Sequence, residues 1–277
     1  MSRDVLELLR AAGGYISGEK MAERLGVTRA AVWKKIAALR DAGYDISSAP
    51  RSGYVLRSSP DRLIETEITR GLTTRLIGQK VICYDAVDST NLVLKDLARA
   101  GAEDGTVVVA DSQGTGRGRM ERAFFSPPGK GIWVSILLRP TFLPQDAPKC
   151  TLMAAVAVAR AMEKFGLRAA IKWPNDILHD GRKLVGILTE MSAEMDRVNY
   201  VVIGIGINVN IAHEDFPAEL RSIATSLMQM KGEPLPRVAF LQELLRALDE
   251  LYADVQREGF APVLAVWREY AVTLGQT

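Results

Sequence analysis

Apolar positions change their spacing along the chain, and the changes predict its elements. Over residues 3–12 (RDVLELLRAA), Val5, Leu8 and Leu9 recur at helical spacing. Gly13-Gly14 ends that helix, because glycine tolerates the left-handed cap. Ser17 precedes Gly18-Glu19-Lys20, a capping-box-like start with Lys20 where Glu or Gln is preferred. The spacing predicts a short helix over 18–25, with Met21, Ala22 and Leu25 inward. Gly26 makes the turn, and Thr28 caps a longer helix over 29–42. Val32, Ile36 and Leu39 share one face of it, while Arg29, Trp33, Lys34 and Lys35 lie largely off that face. Segments 44–47 and 53–56, joined by the turn Ala49-Pro50-Arg51-Ser52, predict a hairpin with Arg51 at its tip.

A short helix, a glycine turn and a capped second helix form the pattern of a helix-turn-helix, here with a wing. A small helical interaction domain with a solvated basic face is the plainer alternative. The charges of Arg29, Lys34, Lys35 and Arg51, gathered on the second helix and the wing, favour DNA. Phosphates would be met by those cations and by the helix N-terminus at Thr28. Bases would be read near Arg29, Ala30 and Trp33. Residues 57–60 (RSSP) are a polar break, so the first domain is placed at 1–60. Periodicity resumes over 61–70.

Beyond residue 80 strands and helices alternate. Strands are predicted at 81–84, 106–110, 132–138, 170–172, 183–191 and 200–209, and helices at 91–100 and 152–165. The polar 193–197 makes an antiparallel hairpin of the last two strands. Mixed connections imply an α+β sheet with helices on one side. There is no GxGxxG and no Walker loop, which argues against a Rossmann or P-loop site.

Length and charge narrow the picture. The 277 residues fit two domains or one large one, and 48% hydrophobic content is enough for a real core. Lys+Arg at 35 against Asp+Glu at 33 leaves a net charge of +2, so any nucleic-acid surface is a local patch. Cys83 and Cys150 are too far apart for a CxxC site, and two histidines leave little for a metal centre. Asp4 and Glu7 are wrong for a signal peptide, and the longest apolar run, 152–159, is too short to span a bilayer. A cytoplasmic location is expected.

Segment 111–119 (DSQGTGRGR) is the richest in chemistry. Gly114, Gly116 and Gly118 disfavour helix or strand, and Arg117 and Arg119 offer planar forks for a carboxylate, a phosphate or a cyclic urea. Composition alone divides evenly between a ligand loop and an RG-type RNA-binding segment or surface loop; its place after a buried strand favours the ligand loop. Lys172-Trp173-Pro174-Asn175-Asp176 ends a strand in a tight turn. Lys183 opens the next strand, and Gly186 would let a ligand approach its backbone. Gly204 and Gly206 stand in a strand interior, where glycine is costly unless something packs closely. Asn208 and Asn210 share a face there. Asp88-Ser89-Thr90-Asn91 lies where strand meets helix, either as a plain cap or as a polar ligand grip. Trp173 as core, Lys183 as an edge lysine and the glycines as packing sites remain open. Together the motifs point to an anionic, nucleotide-like ligand.

These segments resemble the bifunctional biotin–protein ligase and biotin-operon repressor family. The matching stretches are DSTN (88–91), QGTGRGR (113–119), SPPGKG (126–131), KWPND (172–176), KLVGIL (183–188) and GIGINVN (204–210). The resemblance implies a catalytic domain related to class II aminoacyl-tRNA synthetases over 66–270. It implies that biotin and Mg-ATP give biotinyl-5′-AMP, and that biotin then passes to a lysine of a biotin carboxyl carrier protein. Ser89, Thr90, Asn91 and Gln113 would hold biotin with the Arg117-Gly118-Arg119 loop, joined by Gly186, Gly204 and Gly206. Lys183 would contact the acyl group; Lys172, Asn175 and Asn208 would lie near phosphate, Mg2+ or adenine; Asp176 would orient the incoming lysine or its proton. Arg119, Lys183 and Asp176 are the expected catalytic residues, with no dedicated metal site in the protein. A homodimer formed with the adenylate would bind operator DNA, with no membrane partner. The chain departs from the family at Glu121 and Phe124, where a glycine and a tryptophan are usual. Residues 271–277 would be a stub where a C-terminal SH3-like barrel begins, with the barrel itself expected to be absent. A ligand-sensing repressor without catalysis and a lipoate ligase are the alternatives.

Overall fold

The computed structural model describes residues 3–116 and 124–272. The chain divides into two units, Met1–Asp61 and Arg62–Thr277. In the first, α1 (Arg3–Ala12), α2 (Gly18–Leu25) and α3 (Arg29–Asp41) pack on a hairpin of β1 (Asp45–Ala49) and β2 (Gly53–Ser58). Their core gathers Val5, Leu9, Met21, Ala22, Val32, Ile36 and Leu39, all read from the sequence as inward positions, together with Leu6, which was not; Leu8 and Leu25 pack against it only partly buried. Ser17 caps α2 by accepting from the Lys20 N–H at 3.1 Å, and Gly26 ends it at φ 62°. Thr28 caps α3 by accepting from the Ala31 N–H at 3.2 Å. The wing is tied back to the helices by paired bonds between Ile16 and Tyr54, both 2.9 Å. Gly53 is required there: a Cβ on it would stand 2.2 Å from the Ile16 carbonyl oxygen.

The second unit is built on a seven-stranded mixed sheet. Its strands are β3 (Val81–Val87), β4 (Val107–Gln113), β5 (Gly131–Leu138), β6 (Ala170–Lys172), β7 (Asp176–His179), β8 (Arg182–Ala193) and β9 (Val198–Asn208), in the spatial order β3-β4-β5-β9-β8-β7-β6. Only β3 and β4 run parallel; the other neighbours are antiparallel. Parallel neighbours need a crossover, and α5 (Thr90–Arg99) supplies it.

The short α4 (Glu65–Ile68) precedes the sheet; α6 (Cys150–Lys164), α7 (Leu227–Lys231), α8 (Arg237–Glu258) and α9 (Ala261–Tyr270) complete the unit. One sheet face, carrying Val107, Val109, Ile136 and Ile203, packs with α6, α8 and α9 in the main core. The opposite face, carrying Val108, Leu137 and Val202, packs on Leu94 and Ala98 of α5. Helices on one side only was therefore the wrong expectation. The interior strand β5 is buried at every position, and a strand buried on both faces loses the alternation that would mark an open side. Among the described residues no helix is long and apolar enough to cross a membrane.

Candidate functional site

A pocket opens where the start of α5, the end of β4 and the strands β5, β9 and β8 converge. It holds about 460 Å³ of empty space including its mouth, and Ser89, Thr90, Asn91, Gln113, Phe124, Asn175, Lys183, Gly186, Gly204 and Gly206 line it together with apolar residues of β5, β8 and β9. Ser89 is the N-cap residue of α5, yet its side chain makes no capping bond, so a plain cap does not account for it. Ser89, Thr90 and Asn91 are all buried.

These polar groups form one connected wall. Gln113 Oε1 accepts from the Thr90 N–H at 2.9 Å. Its Nε2 donates to Ser126 Oγ at 3.1 Å, which donates to the Phe124 carbonyl at 2.9 Å. Ser135 of β5 reaches Thr90 Oγ1 at 2.7 Å and Asn91 Oδ1 at 2.6 Å. Asn91 Nδ2 donates to Glu190 Oε2 at 2.9 Å, and Lys95 pairs with the other oxygen of Glu190 at 2.8 Å.

The strand glycines make room for side chains. A Cβ on Gly186 or on Gly206 would come within 2.8 Å of the Phe124 ring, and one on Gly204 would come within 2.1 Å of Asn91 Oδ1. The close packing that the sequence demands at these glycines thus comes from Phe124 and Asn91. Phe124 also meets Trp133 edge-on at 5.8 Å, and Lys183 Nζ lies 5.6 Å from its centroid. Lys183 is pinned through its backbone: its N–H donates to Ile223 at 2.7 Å, and its carbonyl accepts from Thr225 at 2.9 Å.

Lys183 Nζ stands 2.8 Å from Asp176 Oδ1. That oxygen is buried and receives no well-directed hydrogen bond, so the two groups attract as charges while the carboxylate keeps an unmet acceptor. A cation, an acceptor with spare capacity and a wall of amides and hydroxyls suit a ligand that combines a carboxylate with a polar ring.

Other expected residues lie elsewhere. Lys172 is exposed at the end of β6 and is not in the pocket lining. Asn208 is buried and spends its amide on the Thr225 carbonyl at 2.9 Å, also outside the lining. Asn175 lines the pocket while tied to Ile187 of β8 by two bonds. Trp173 is 62% exposed, which excludes it from the core. Arg117, Gly118, Arg119 and Glu121 fall outside the described residues.

The sequence reading passed over Ser135, Glu190 and Lys95. It also gave no role to Asp111, whose carboxylate pairs with the buried Arg237 at 3.0 Å and accepts from the Gly129 N–H at 3.0 Å. Ser135 carried a signal, as a lone hydroxyl inside the apolar run 132–138.

In the first unit a groove between α3 and the wing is lined by Arg29, Ala30, Trp33 and Arg51 among others, with Glu19 adding one acid. Trp33 is 59% exposed, large for an indole. Lys34 is exposed but lies outside this lining, and Lys35 stands 4.0 Å from Asp4. Thr28 spends its hydroxyl on the helix cap.

Comparison with known proteins fits both units. The Biotin/lipoate A/B protein ligase family matches residues 83–208, and an HTH domain matches residues 2–55. The chain is 47% identical to the bifunctional ligase/repressor BirA of Bacillus subtilis, over 99% of this chain and 85% of that protein. The chain belongs to the bifunctional biotin ligase/repressor family.

The family's Escherichia coli member is 34% identical over 94% of this chain and 79% of its own length. Among solved structures, the biotin protein ligase from Aquifex aeolicus in complex with biotin and ATP superposes with a TM-score of 0.63 at 30% identity, covering 72% of this chain and 81% of that one. The ligase match begins at the middle of β3 and ends with β9, so it spans all the strands that shape the pocket.

Proposed function

We propose that the chain joins biotin to ATP, making biotinyl-5′-AMP, and passes the biotinyl group to a lysine of a biotin carboxyl carrier protein. With the adenylate bound, it acts as a repressor at operator DNA. The observation that carries this reading is the convergence of Ser89, Thr90, Asn91, Gln113 and Lys183 on one pocket, with Asp176 paired to Lys183 just outside its lining.

The chemistry follows from the charges. A biotin carboxylate oxygen attacks the α-phosphorus of ATP in line, an acyl–phosphate bond forms, and pyrophosphate leaves. Two anions must meet, so the site needs fixed cations more than acids and bases. Lys183 draws the carboxylate in, exchanging its contact with Asp176 for one with the acyl group. The polar wall of Ser89, Thr90, Asn91 and Gln113 holds the ring at the other end. Arg117 and Arg119 are assigned to the adenylate's charge.

In the second step the carrier amine attacks the acyl carbon, AMP leaves, and Asp176 takes the amine's proton. Mg2+ is assigned to the nucleotide phosphates; among the described residues no group of three or more His, Cys, Asp or Glu side chains forms a metal site.

The DNA-reading domain is placed at 1–60, with Thr28, Arg29, Ala30, Trp33, Lys34 and Arg51 toward the duplex, and the ligase domain at 66–270. A homodimer pairs two reading modules on one operator, and the protein works in the cytoplasm.

Calorimetry with biotin and then ATP, followed by mass spectrometry of the products, tests this reading. Biotin binding with biotinyl-AMP and pyrophosphate as products is expected. Biotin binding without adenylate would leave a ligand-sensing repressor, and preference for lipoate over biotin would overturn the substrate.

A further inference from the structure

Glu190 does not line the pocket, yet the wall of the pocket ends on it. A carboxylate paired with Lys95 can only accept hydrogen bonds, so Asn91 must turn its Nδ2 toward it. The Leu188 carbonyl, 3.3 Å from the same nitrogen, agrees with that orientation. Asn91 Oδ1 therefore faces Ser135, which is fully buried. The Ser135 hydroxyl has one proton, and the 2.6 Å contact to Asn91 Oδ1 requires it, because a carbonyl oxygen has none to give.

The 2.7 Å contact between Ser135 Oγ and Thr90 Oγ1 then needs the proton of Thr90. Gln113 Oε1, at 3.2 Å, is the more distant claimant and already receives the Thr90 N–H. Thr90 is left with its proton committed and its lone pairs available to the pocket.

We infer that Glu190 is a positioning residue that sets the donor–acceptor polarity of the ligand site. Through Asn91 and Ser135 it makes Thr90 an acceptor, so the site selects a ring that offers N–H. This rests on the proposed biotin reading and deepens it: the cyclic urea of biotin carries N–H donors. Replacing Glu190 by glutamine lets an N–H face Asn91. The Lys95 ammonium favours that orientation, because it holds the amide oxygen on its own side. Asn91 then turns over, Ser135 donates to Thr90, and the Thr90 proton is released to compete with the ligand's.

The test is biotin affinity by calorimetry and steady-state adenylate formation for the full chain and for Glu190→Gln, Ser135→Ala and the double variant. Each single change is expected to raise the biotin Kd and KM by about 10-fold, the usual worth of one hydrogen bond to a well-placed acceptor, with kcat at saturating biotin kept. The double variant is expected to lose about 10-fold as well, because both changes break the same relay.

A Glu190→Gln Kd within about twofold of the parent would overturn the inference. So would a double variant whose losses multiply to about 100-fold, or a fall in kcat without a rise in KM. If Ser135→Ala does not fold, the split between KM and kcat in Glu190→Gln alone decides. Failure of the parent chain to bind biotin would overturn the proposed function and is distinct from these outcomes.

Discussion

At the scale of single residues, charge and burial divide the reactive groups of this chain into used and idle. Lys183 is half-exposed beside Asp176 and the Phe124 ring, where an incoming carboxylate can reach it. Lys183→Ala should weaken biotin and biotinyl-AMP alike, by roughly 10–100-fold for a charged hydrogen bond of about 1.5–3 kcal/mol. Calorimetry with both ligands measures it, and unchanged affinities would reduce Lys183 to a structural lysine.

The cysteines are the idle case. Burial pushes the thiols of Cys83 and Cys150 up to about 12, with Glu65 and Asp146 adding to the shift in turn. The thiolate is the reactive form, so at pH 8 only about one thiol in ten thousand is reactive at either site. Neither cysteine should react with iodoacetamide over minutes in the folded protein, and both should react in denaturant. Fast labelling at pH 8 would contradict the burial. This agrees with an acyl transfer that runs through an adenylate rather than a thioester.

At the scale of elements, the site depends on what strands leave out. Gly204 sits opposite Ser135 in the β5–β9 register, and the missing side chain is the space Asn91 occupies. Gly204→Ala would place a carbon 2.1 Å from Asn91 Oδ1, so the amide must move. Biotin affinity should fall by at least about 10-fold, with one buried hydrogen bond lost and the relay broken. An affinity equal to the parent's would mean that Asn91 does not support the ligand.

The helix α3 has a different task. Arg29 is exposed beside the cap at Thr28, on the groove shared with the wing. Arg29→Ala should lower operator affinity and, if it meets a phosphate, reduce the salt slope by about 1. Adenylate synthesis should be unaffected. Footprinting across a salt series together with an adenylation assay reads both.

At the scale of the whole molecule, the proposed adenylate-dependent repression would link the two activities through the ligand. A single winged helix touches few base pairs, and a net charge of +2 supplies little long-range attraction. Specific repression therefore favours a two-fold dimer on paired half-sites. Biotinyl-AMP spends the biotin carboxylate in its acyl–phosphate bond and carries one phosphate charge plus an adenosine, so it would offer the proposed 113–125 ligand segment more contacts than biotin rather than more charge. If that segment contributes to the dimer surface, as the resemblance implies, the adenylate raises dimerisation and operator affinity together. Linkage demands the converse, that operator DNA tightens adenylate binding. Footprinting at fixed salt with and without biotinyl-AMP should show a substantial gain. Identical operator affinities would leave a constitutive binder without a switch.

What could be read from the sequence alone was whatever depends on neighbours along the chain. Ser17, Gly26 and Thr28 announced their caps and turn because capping is settled within a few residues. The motifs at 88–91, 172–176 and 204–210 were legible for the same reason: each is a short segment with its own chemistry. Helix α8 lay beyond the elements predicted, although Leu241, Leu244, Leu248 and Leu251 recur at helical spacing and made it readable in principle.

Tertiary structure decided the rest. The second helical layer on the sheet could not be read from β5, because a strand covered on both faces carries no polar side to show which face is open. The pocket brought Thr90, Gln113, Lys183 and Gly206 together from four elements, and left Lys172 and Asn208 out of its lining. Glu190 meets Asn91 across 99 positions of chain. No local pattern encodes such a contact, since it depends on which strands pair, in what register, and with which helix laid across them.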